Sequence, residues 1–201
     1  MNSAPVFPRG IRFALTSFLA AALAACSSDI TQPNAPIPAP PAEARQAATY
    51  DCLLQSDIPF SECQTLVALY NSTNGGQWTN NTNWLQTSPC FWYGVICNSG
   101  VWVIRLATNN LTGTLPSSLG VLSHLTELFL PDNHLTGTIP SSLGSMTDLR
   151  ELWLSVNQLT GGIPASLGSL TSLRTMVLAN NQLTGAIPPS LGSLTSIEGC
   201  I

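Results

Sequence analysis

Residues 125–148 read LTELFLPDNHLTGTIPSSLGSMTD, and the next two stretches, LRELWLSVNQLTGGIPASLGSLTS and LRTMVLANNQLTGAIPPSLGSLTS, repeat that pattern. Leu-Thr-Gly triplets fix the step at 24 residues, starting at Leu111, Leu135, Leu159 and Leu183. An Asn precedes each of these leucines by two positions, at Asn109, Asn133, Asn157 and Asn181. Four cycles in one constant register are typical of a solenoid, in which every repeat forms one coil.

The pattern within a repeat predicts the shape of the coil. Leu128 and Leu130 alternate with other residues, which indicates a short strand whose leucines face inward. Pro140 and Gly144 follow in the same repeat, and both residue types oppose a long helix on the return path. Because one coil cannot bury its own leucines, neighbouring coils must stack, and each buried Leu then contributes about 1.5–3 kcal/mol.

The Asn column needs its own explanation, because a side-chain amide that faces the core is costly unless its donors and acceptor are all used. In stacked coils such an amide can bridge backbone groups of adjacent turns. We therefore interpret Asn133 as a structural residue rather than a ligand contact.

In columns, each repeat reads Leu-x-x-Leu-x-Leu-x-x-Asn-x-Leu-Thr-Gly-x-(Ile/Leu)-Pro-x-x-Leu-Gly-x-(Leu/Met). This resembles the leucine-rich repeat family, in the variant common in plant receptors and in some bacterial surface proteins. The resemblance covers residues 101–201 and implies an α/β repeat solenoid, an arc with short parallel strands on its concave face. Cys200 takes the register of Met176 in an incomplete fifth repeat, and we expect it to be a small buried apolar residue. We expect either a fragment or a frayed last coil at this end.

The N-terminus carries two arginines and then an apolar run, Phe13 to Ala25, that is too short to span a bilayer. This pattern predicts an export signal in residues 1–25. The run ends in Leu-Ala-Ala-Cys, which resembles the bacterial lipoprotein box, where cleavage precedes the Cys, here Cys26, and its thiol is acylated. Ser27 then implies sorting to the outer membrane, on its periplasmic or cell-surface side. The alternative is ordinary cleavage upstream and a soluble secreted protein. Residues 26–48, rich in Pro, predict a tether.

Residues 49–100 lie between the tether and the repeats. Ser61 followed by Gln64 is a capping-box signal, which predicts a helix from Ser61 to Tyr70. The segments that contain Trp78, Trp84 and Trp92 resemble the N-terminal cap of extracellular leucine-rich repeat proteins. We interpret these tryptophans as the core of the cap, with a sugar-binding platform as the alternative.

Four cysteines lie in this cap, and export makes disulfides possible. We pair Cys52 with Cys63 and Cys90 with Cys97, because each pair is close in sequence and the second pair matches the family's cap. A metal site is the competing interpretation. The spacings of 11 and 7 residues are not the tight pairs of zinc sites, and the two histidines lie elsewhere.

Composition excludes several functions. The chain has no Lys, and its ten acidic residues outnumber its six arginines, so nucleic acid and anionic membrane surfaces are poor partners. We find no paired His and carboxylate at catalytic spacing, no phosphate loop and no Ser or Cys nucleophile motif. The sequence therefore predicts a protein that is not an enzyme and binds no cofactor or metal.

Outward strand positions are where function is expected, because the core does not dictate them. Phe129 and Trp153 should be neighbours there, beside acids and arginines. The expected site consists of Glu127, Phe129, Arg150, Glu151, Trp153 and Arg174. We predict a membrane-tethered, extracytoplasmic recognition module that binds a protein or peptide on this face. One alternative is a carbohydrate-binding module for envelope polysaccharide, with Trp153 and Phe129 stacked on sugar rings. Another is that the two aromatic side chains merely cover each other.

Overall fold

The computed structural model describes residues 50–200. The expected signal peptide, Cys26 and the tether lie outside the described residues, as does Ile201. Within the part that is described, no helix has both the length and the apolar character needed to cross a membrane.

Ten short strands follow the one α-helix of the described residues, α1 (Phe60–Ser72). They are β1 (Val95–Cys97), β2 (Val101–Arg105), β3 (Thr112–Thr114), β4 (Glu127–Phe129), β5 (His134–Thr136), β6 (Glu151–Trp153), β7 (Thr160–Gly161), β8 (Thr175–Val177), β9 (Gln182–Leu183) and β10 (Gly199–Cys200). The main sheet has six strands in the order β1-β2-β4-β6-β8-β10. β1 is antiparallel to β2, and every later neighbour is parallel.

The register of the parallel strands confirms the repeat prediction. Leu128 lies opposite Leu152, and Leu152 lies opposite Met176, so each step is one full repeat. Cys200 lies opposite Met176, as its place in the sequence predicts. The inward residues Leu128 and Leu152 are fully buried. One coil per repeat, stacked on the next, is therefore the architecture of this region.

Short 3₁₀ helices form the return path of the coils. They span Ser117–Val121, Ser141–Ser145, Ala165–Ser169 and Pro189–Ser193. A Pro precedes each of them, for example Pro140, whose fixed φ suits the start of a helix. Leu143 then points into the core, fully buried. The prediction that the return path contains no long helix is confirmed for these coils.

A second set of strand pairs, which the sequence pattern did not predict, lies after the Asn column. β3 pairs with β5, and β7 pairs with β9. Gly113 lies opposite Leu135, 22 positions further on, so this ladder is staggered by two residues against the repeat. Gly137 has a φ of 73°, and a Cβ there would lie 2.9 Å from Cγ2 of Thr114. The Gly of each Leu-Thr-Gly triplet is therefore required by the backbone.

The Asn column forms the ladder that the sequence predicted. Oδ1 of Asn133 accepts the backbone N–H groups of Asn109 and Leu111, at 3.0 and 2.9 Å. Its Nδ2 donates to the carbonyl of Leu106 in the preceding coil, at 2.9 Å, and to two carbonyls of its own coil. The side chain is 4% exposed. Every donor and acceptor of this buried amide is thus satisfied.

The cap supplies the backbone groups that a preceding coil would offer to the first repeat. Nδ2 of Asn109 donates to the carbonyl of Asn80 at 2.9 Å, and Oδ1 of Asn109 accepts the N–H of Asn80 at 2.6 Å. Buried Glu62, on α1, accepts the N–H of Val101 at 2.6 Å and so ties the helix to β2. The ladder of the repeats therefore begins inside the cap.

Helix α1 differs from its predicted start. The helix begins at Phe60, with Pro59 as N-cap and no side-chain capping bond, so the capping-box interpretation of Ser61 and Gln64 is wrong. Ser61 already lies in the first turn, where its carbonyl accepts the hydroxyl of Thr65 at 2.9 Å. Pro at the helix entrance replaces the polar cap, since its φ is already restricted to helical values.

The core of the cap is aromatic. Trp78, Trp84 and Trp92 are 5%, 2% and 2% exposed, which confirms that they are core residues. The ring of Trp84 lies 4.8 Å from that of Trp78 and 4.6 Å from that of Trp92. Both predicted disulfides are present, Cys52–Cys63 and Cys90–Cys97. The cap is thus closed by covalent bonds around a cluster of rings.

Candidate binding surface

The outward side chains of β2, β4, β6 and β8 form one surface, called here the strand face. Its central row is Arg105, Phe129, Trp153 and Val177, which are opposite one another in register. The next row is Val103, Glu127, Glu151 and Thr175, of which Val103 is buried. β1 extends this second row into the cap, because Ile96 lies opposite Val103 and is 49% exposed. The sequence predicted that Phe129 and Trp153 are neighbours with acidic residues beside them, whereas it did not predict the place of Ile96.

An aromatic pair occupies the middle of the strand face. The ring centroids of Phe129 and Trp153 are 5.3 Å apart, with the ring planes inclined by 52°. Both side chains are half-buried. Nε1 of Trp153 donates to the carboxylate of Glu151 at 3.2 Å, which fixes the indole in place. The pair therefore presents a rigid apolar surface with a polar flank.

One of the two carboxylates in the acidic row has an ion-pair partner within the strand face. Arg105 donates through Nε and Nη2 to one carboxylate oxygen of Glu127, and forms an ion pair with it. The site expected from the sequence omits Arg105. The position of Arg105 in the central row could have indicated that it belongs to the site, because any residue of that row lies within reach of the neighbouring row that contains Glu127.

Arg150 and Arg174 lie away from the aromatic pair, at the edge where the parallel strands begin. Each stands one position before its strand, and the N–H of Arg174 donates to the carbonyl of Arg150 at 2.8 Å. Trp102, 40% exposed, occupies the same row two coils before Arg150. The six expected residues thus separate into a central group of four and two arginines at the rim.

A groove follows this rim and is called here the edge groove. Two hollows of about 330 and about 450 Å³ compose it, and both are lined by Arg150 and Ser172. Trp102 and His124 line the first hollow, whereas Arg174 and Glu198 line the second. The site expected from the sequence does not include Trp102 or His124, although both keep the repeat register.

A His and a carboxylate meet in the edge groove, without a nucleophile beside them. Nδ1 of His124 lies 3.3 Å from Oδ2 of Asp148, one coil further on. The sequence did not indicate this contact, because the two residues are 24 positions apart and only stacking brings them together. Ser172 is next in the same row, so Asp148 stands between it and His124. At about 4.8 Å per coil, Ser172 lies roughly 10 Å from the ring, too far for nucleophile activation.

Other chemistry is limited in this surface. Within residues 50–200, no three His, Cys, Asp or Glu side chains are close enough to hold a metal ion. What the strand face offers is an apolar centre with fixed polar neighbours, and what the edge groove offers is a set of hydrogen-bonding groups. Both arrangements suit recognition of a ligand.

The repeats are similar to those of known proteins. A family model described as leucine rich repeat matches residues 123–183. The crystal structure of the BIR2 ectodomain from Arabidopsis thaliana is 30% identical in sequence, with a TM-score of 0.63. That match covers 71% of this chain and 78% of the BIR2 chain. No curated protein sequence is significantly similar to the chain.

Two further structures resemble the described fold. The crystal structure of PEPR1–AtPEP1 is 31% identical, with a TM-score of 0.60, and the match covers 68% of this chain. A plant ice-binding protein is 27% identical, with a TM-score of 0.65 and a match over 71% of this chain. This chain spans 20% of the PEPR1 structure and 47% of the ice-binding protein.

Proposed function

The chain belongs to the leucine-rich repeat family, and from this premise we propose that its strand face binds a protein or an extended peptide. The proposed site consists of Glu127, Phe129, Glu151 and Trp153 at its centre, with Arg150 and Arg174 at its rim. The observation that carries the proposal is the in-register contact of Phe129 and Trp153 at 5.3 Å on an outward face. Large, partly exposed aromatic side chains are the commonest anchors of protein interfaces.

The electrostatic surroundings of the aromatic pair favour this function. Glu127 is paired with Arg105, and Glu151 accepts the indole N–H of Trp153. A partner that covers the pair therefore meets carboxylates that already have a hydrogen-bond partner, which reduces the cost of desolvating them. An apolar centre inside a polar rim is the usual anatomy of a binding interface.

Family membership alone does not identify the ligand. PEPR1 was crystallised with AtPEP1, whereas another similar plant protein binds ice. The aromatic pair favours a protein or peptide, because it offers a compact anchor that an apolar side chain of a partner can bury. Neighbouring coils about 4.8 Å apart let an extended segment contact several of them in turn.

The test begins with peptides selected from a random display library on the immobilised full chain. Trp153→Ala should weaken binding of the selected peptides by about 1–2 kcal/mol, since a central anchor is lost. Its fold stability should change little, because an outward side chain fills no core volume. Arg174→Ala should mainly lower the on-rate and the salt dependence for acidic peptides.

Two controls make this test specific. Thr138→Ala changes an exposed residue outside the main sheet, beside β7, and should bind like the wild type. Trp102→Ala removes an exposed tryptophan from the edge groove and should also retain peptide binding. A folded Trp153→Ala protein that binds the selected peptides as tightly as the wild type would exclude the strand face as the site.

We also propose that the protein is exported and anchored through Cys26 to the outer membrane. Two cap disulfides support export, because such bonds persist in oxidising compartments. The Leu-Ala-Ala-Cys sequence at the end of a short apolar run supports acylation. Labelled palmitate should enter the wild type and be absent from Cys26→Ser. Equal labelling of the two proteins would refute the anchor and leave the strand-face proposal untouched.

A further inference from the structure

We propose that the edge groove is a second binding site, for a neutral hexopyranose chain. The groove is separate from the aromatic pair of the strand face, and its lining is of a different kind. Trp102 is its only apolar side chain, and hydroxyl groups of Thr126, Ser172 and Ser196 lie along it. An apolar peptide side chain would find no aliphatic partner here, whereas a polyhydroxylated ligand would find hydrogen-bonding groups throughout.

Trp102 supplies the stacking surface that a sugar ring needs. Trp102 is 40% exposed. Phe129 and Trp153 are half-buried, and their rings lie against each other. The indole of Trp153 is also held by Glu151, so its edge is already occupied. An exposed indole beside polar groups can pack on the C–H face of a pyranose while the ring hydroxyls reach the lining. Trp102 is therefore the proposed stacking residue of the edge groove.

The charges of the groove favour a neutral ligand. Arg150 and Arg174 are matched in number by Asp148 and Glu198, so the lining carries no net excess of either sign. Among the described residues, no carboxylate lies within ion-pair distance of either arginine. Guanidinium donors and carboxylate acceptors thus line the same hollows without forming ion pairs with each other. A sugar hydroxyl both donates and accepts, so it can use both kinds of group at once.

The geometry of the groove suits a linear chain. Its lining comes from two rows that cross the coils: Trp102, Thr126, Arg150 and Arg174 in one, and His124, Asp148 and Ser172 in the other. Each step along a row is one coil, about 4.8 Å. A chain of pyranose units laid across the coils would therefore meet one row member after another, starting from Trp102.

The experiment is calorimetric titration of the full chain with three neutral tetrasaccharides: cellotetraose, mannotetraose and the tetramer of N-acetylglucosamine. At least one should bind, and Trp102→Ala should weaken it by about ten-fold through loss of the stacking face. Arg150→Gln should also weaken it, because a charged donor is removed. Trp153→Ala and Arg105→Gln, which change the strand face alone, should leave saccharide affinity unchanged.

The alternatives give different results. Absence of heat with all three saccharides at millimolar concentration overturns the proposal. Stronger binding of tetraglutamate or tetragalacturonate than of any neutral saccharide would show a site for anions instead. Loss of saccharide binding in folded Trp153→Ala, with retention in Trp102→Ala, would move the sugar to the strand face. Because the peptide test depends on Trp153 and this one on Trp102, either proposal can fail alone.

Discussion

The cap and the repeats bury their side chains in different ways. In the cap, each contact is made once: three tryptophans, two disulfides and one helix meet around a single cluster. In the repeats, the same contacts recur, so that Asn133, Asn157 and Asn181 each bridge two coils through equivalent carbonyls. A defect in the cap removes something unique, whereas a defect in the repeats removes one rung of several. The two regions should therefore respond differently to comparable substitutions.

The largest expected effect is in the cap, for Trp84→Ala. The ring is 2% exposed, packs against two other tryptophans, and donates its N–H to the carbonyl of Tyr93 at 2.9 Å. Its removal should lower the free energy of unfolding by about 3–5 kcal/mol, as for other buried aromatic residues. Urea denaturation followed by circular dichroism measures the change.

Phe91→Ala is the matched control for that prediction. Phe91 belongs to the same cap and is 71% exposed, so its loss should alter stability by less than about 0.5 kcal/mol. If Trp84→Ala and Phe91→Ala proved equally stable, the cap would not depend on its ring cluster.

In the repeats, Asn133→Ala should lower stability by about 1–3 kcal/mol, because it leaves buried backbone groups without a partner. Asn181→Ala should cost less, since Asn181 is only partly buried and its Oδ1 accepts one N–H instead of two. Chemical denaturation of both variants gives the difference. Equal losses of stability would mean that the contribution of each Asn does not depend on its burial.

The control residue must lie outside the Asn ladder, and its backbone must not be in the left-handed conformation. Asn110, next to the column, is unsuitable because its φ is 58° and its side chain donates to the carbonyl of Gln77 at 2.9 Å. Exposed Gln158 is suitable, and Gln158→Ala should change stability by less than about 0.5 kcal/mol.

A smaller effect of the opposite sign is expected at Val156. Its φ is 54°, a left-handed conformation that β-branched residues rarely adopt. Asp132 and Asn180 hold the same place in the neighbouring coils, and both residue types tolerate this conformation better. Val156→Asn should therefore raise stability by about 1 kcal/mol, measured by urea denaturation.

Asp132→Asn is the control, because it exchanges two tolerated residues and should give no gain. A loss of stability in Val156→Asn would show that the exposed valine contributes packing that outweighs the strain. Either way, the result tests whether the repeats are equivalent at the level of single backbone positions.

The repeats were predictable from the sequence, because a constant period determines both the inward leucines and the outward rows. Phe129 and Trp153 could be paired in advance for this reason. The staggered ladder of Gly113 and Leu135 was not predictable, since its offset is set by the path of the coil rather than by the repeat length. The contact of His124 with Asp148 was missed because both residues look like isolated polar positions along the chain.

The cap was less predictable, because nothing in it recurs. Its disulfides were paired through closeness in sequence and, for Cys90–Cys97, through family resemblance, and both are confirmed. The start of α1 was wrong by one residue, since Pro59 replaced the capping role assigned to Ser61. β1 was not foreseen, because three residues carry too little pattern to indicate a strand. Where no repeat supports one local sequence signal over another, tertiary packing determines which secondary structure forms.

The smallest expected effect concerns the alkaline limit of the cap. Burial, and secondarily the charge of Asp57, raises the pKa of Tyr50 from 10.0 to about 12. Its hydroxyl also donates to the carbonyl of Thr87 at 2.7 Å, a bond that ionisation abolishes. Between these two pKa values the unfolded chain loses the phenolic proton and the folded chain keeps it. Stability should therefore fall as pH rises through that window and be unaffected by this group below it. The chain has no Lys, whose titration would otherwise overlap with that of Tyr50.

The variant Tyr50→Phe tests this expectation. It should be slightly less stable at neutral pH, because the hydrogen bond is lost, yet its stability should fall less steeply than that of the wild type as pH rises. Parallel slopes of the two proteins in urea titrations across this window would mean that Tyr50 ionises normally in the folded cap.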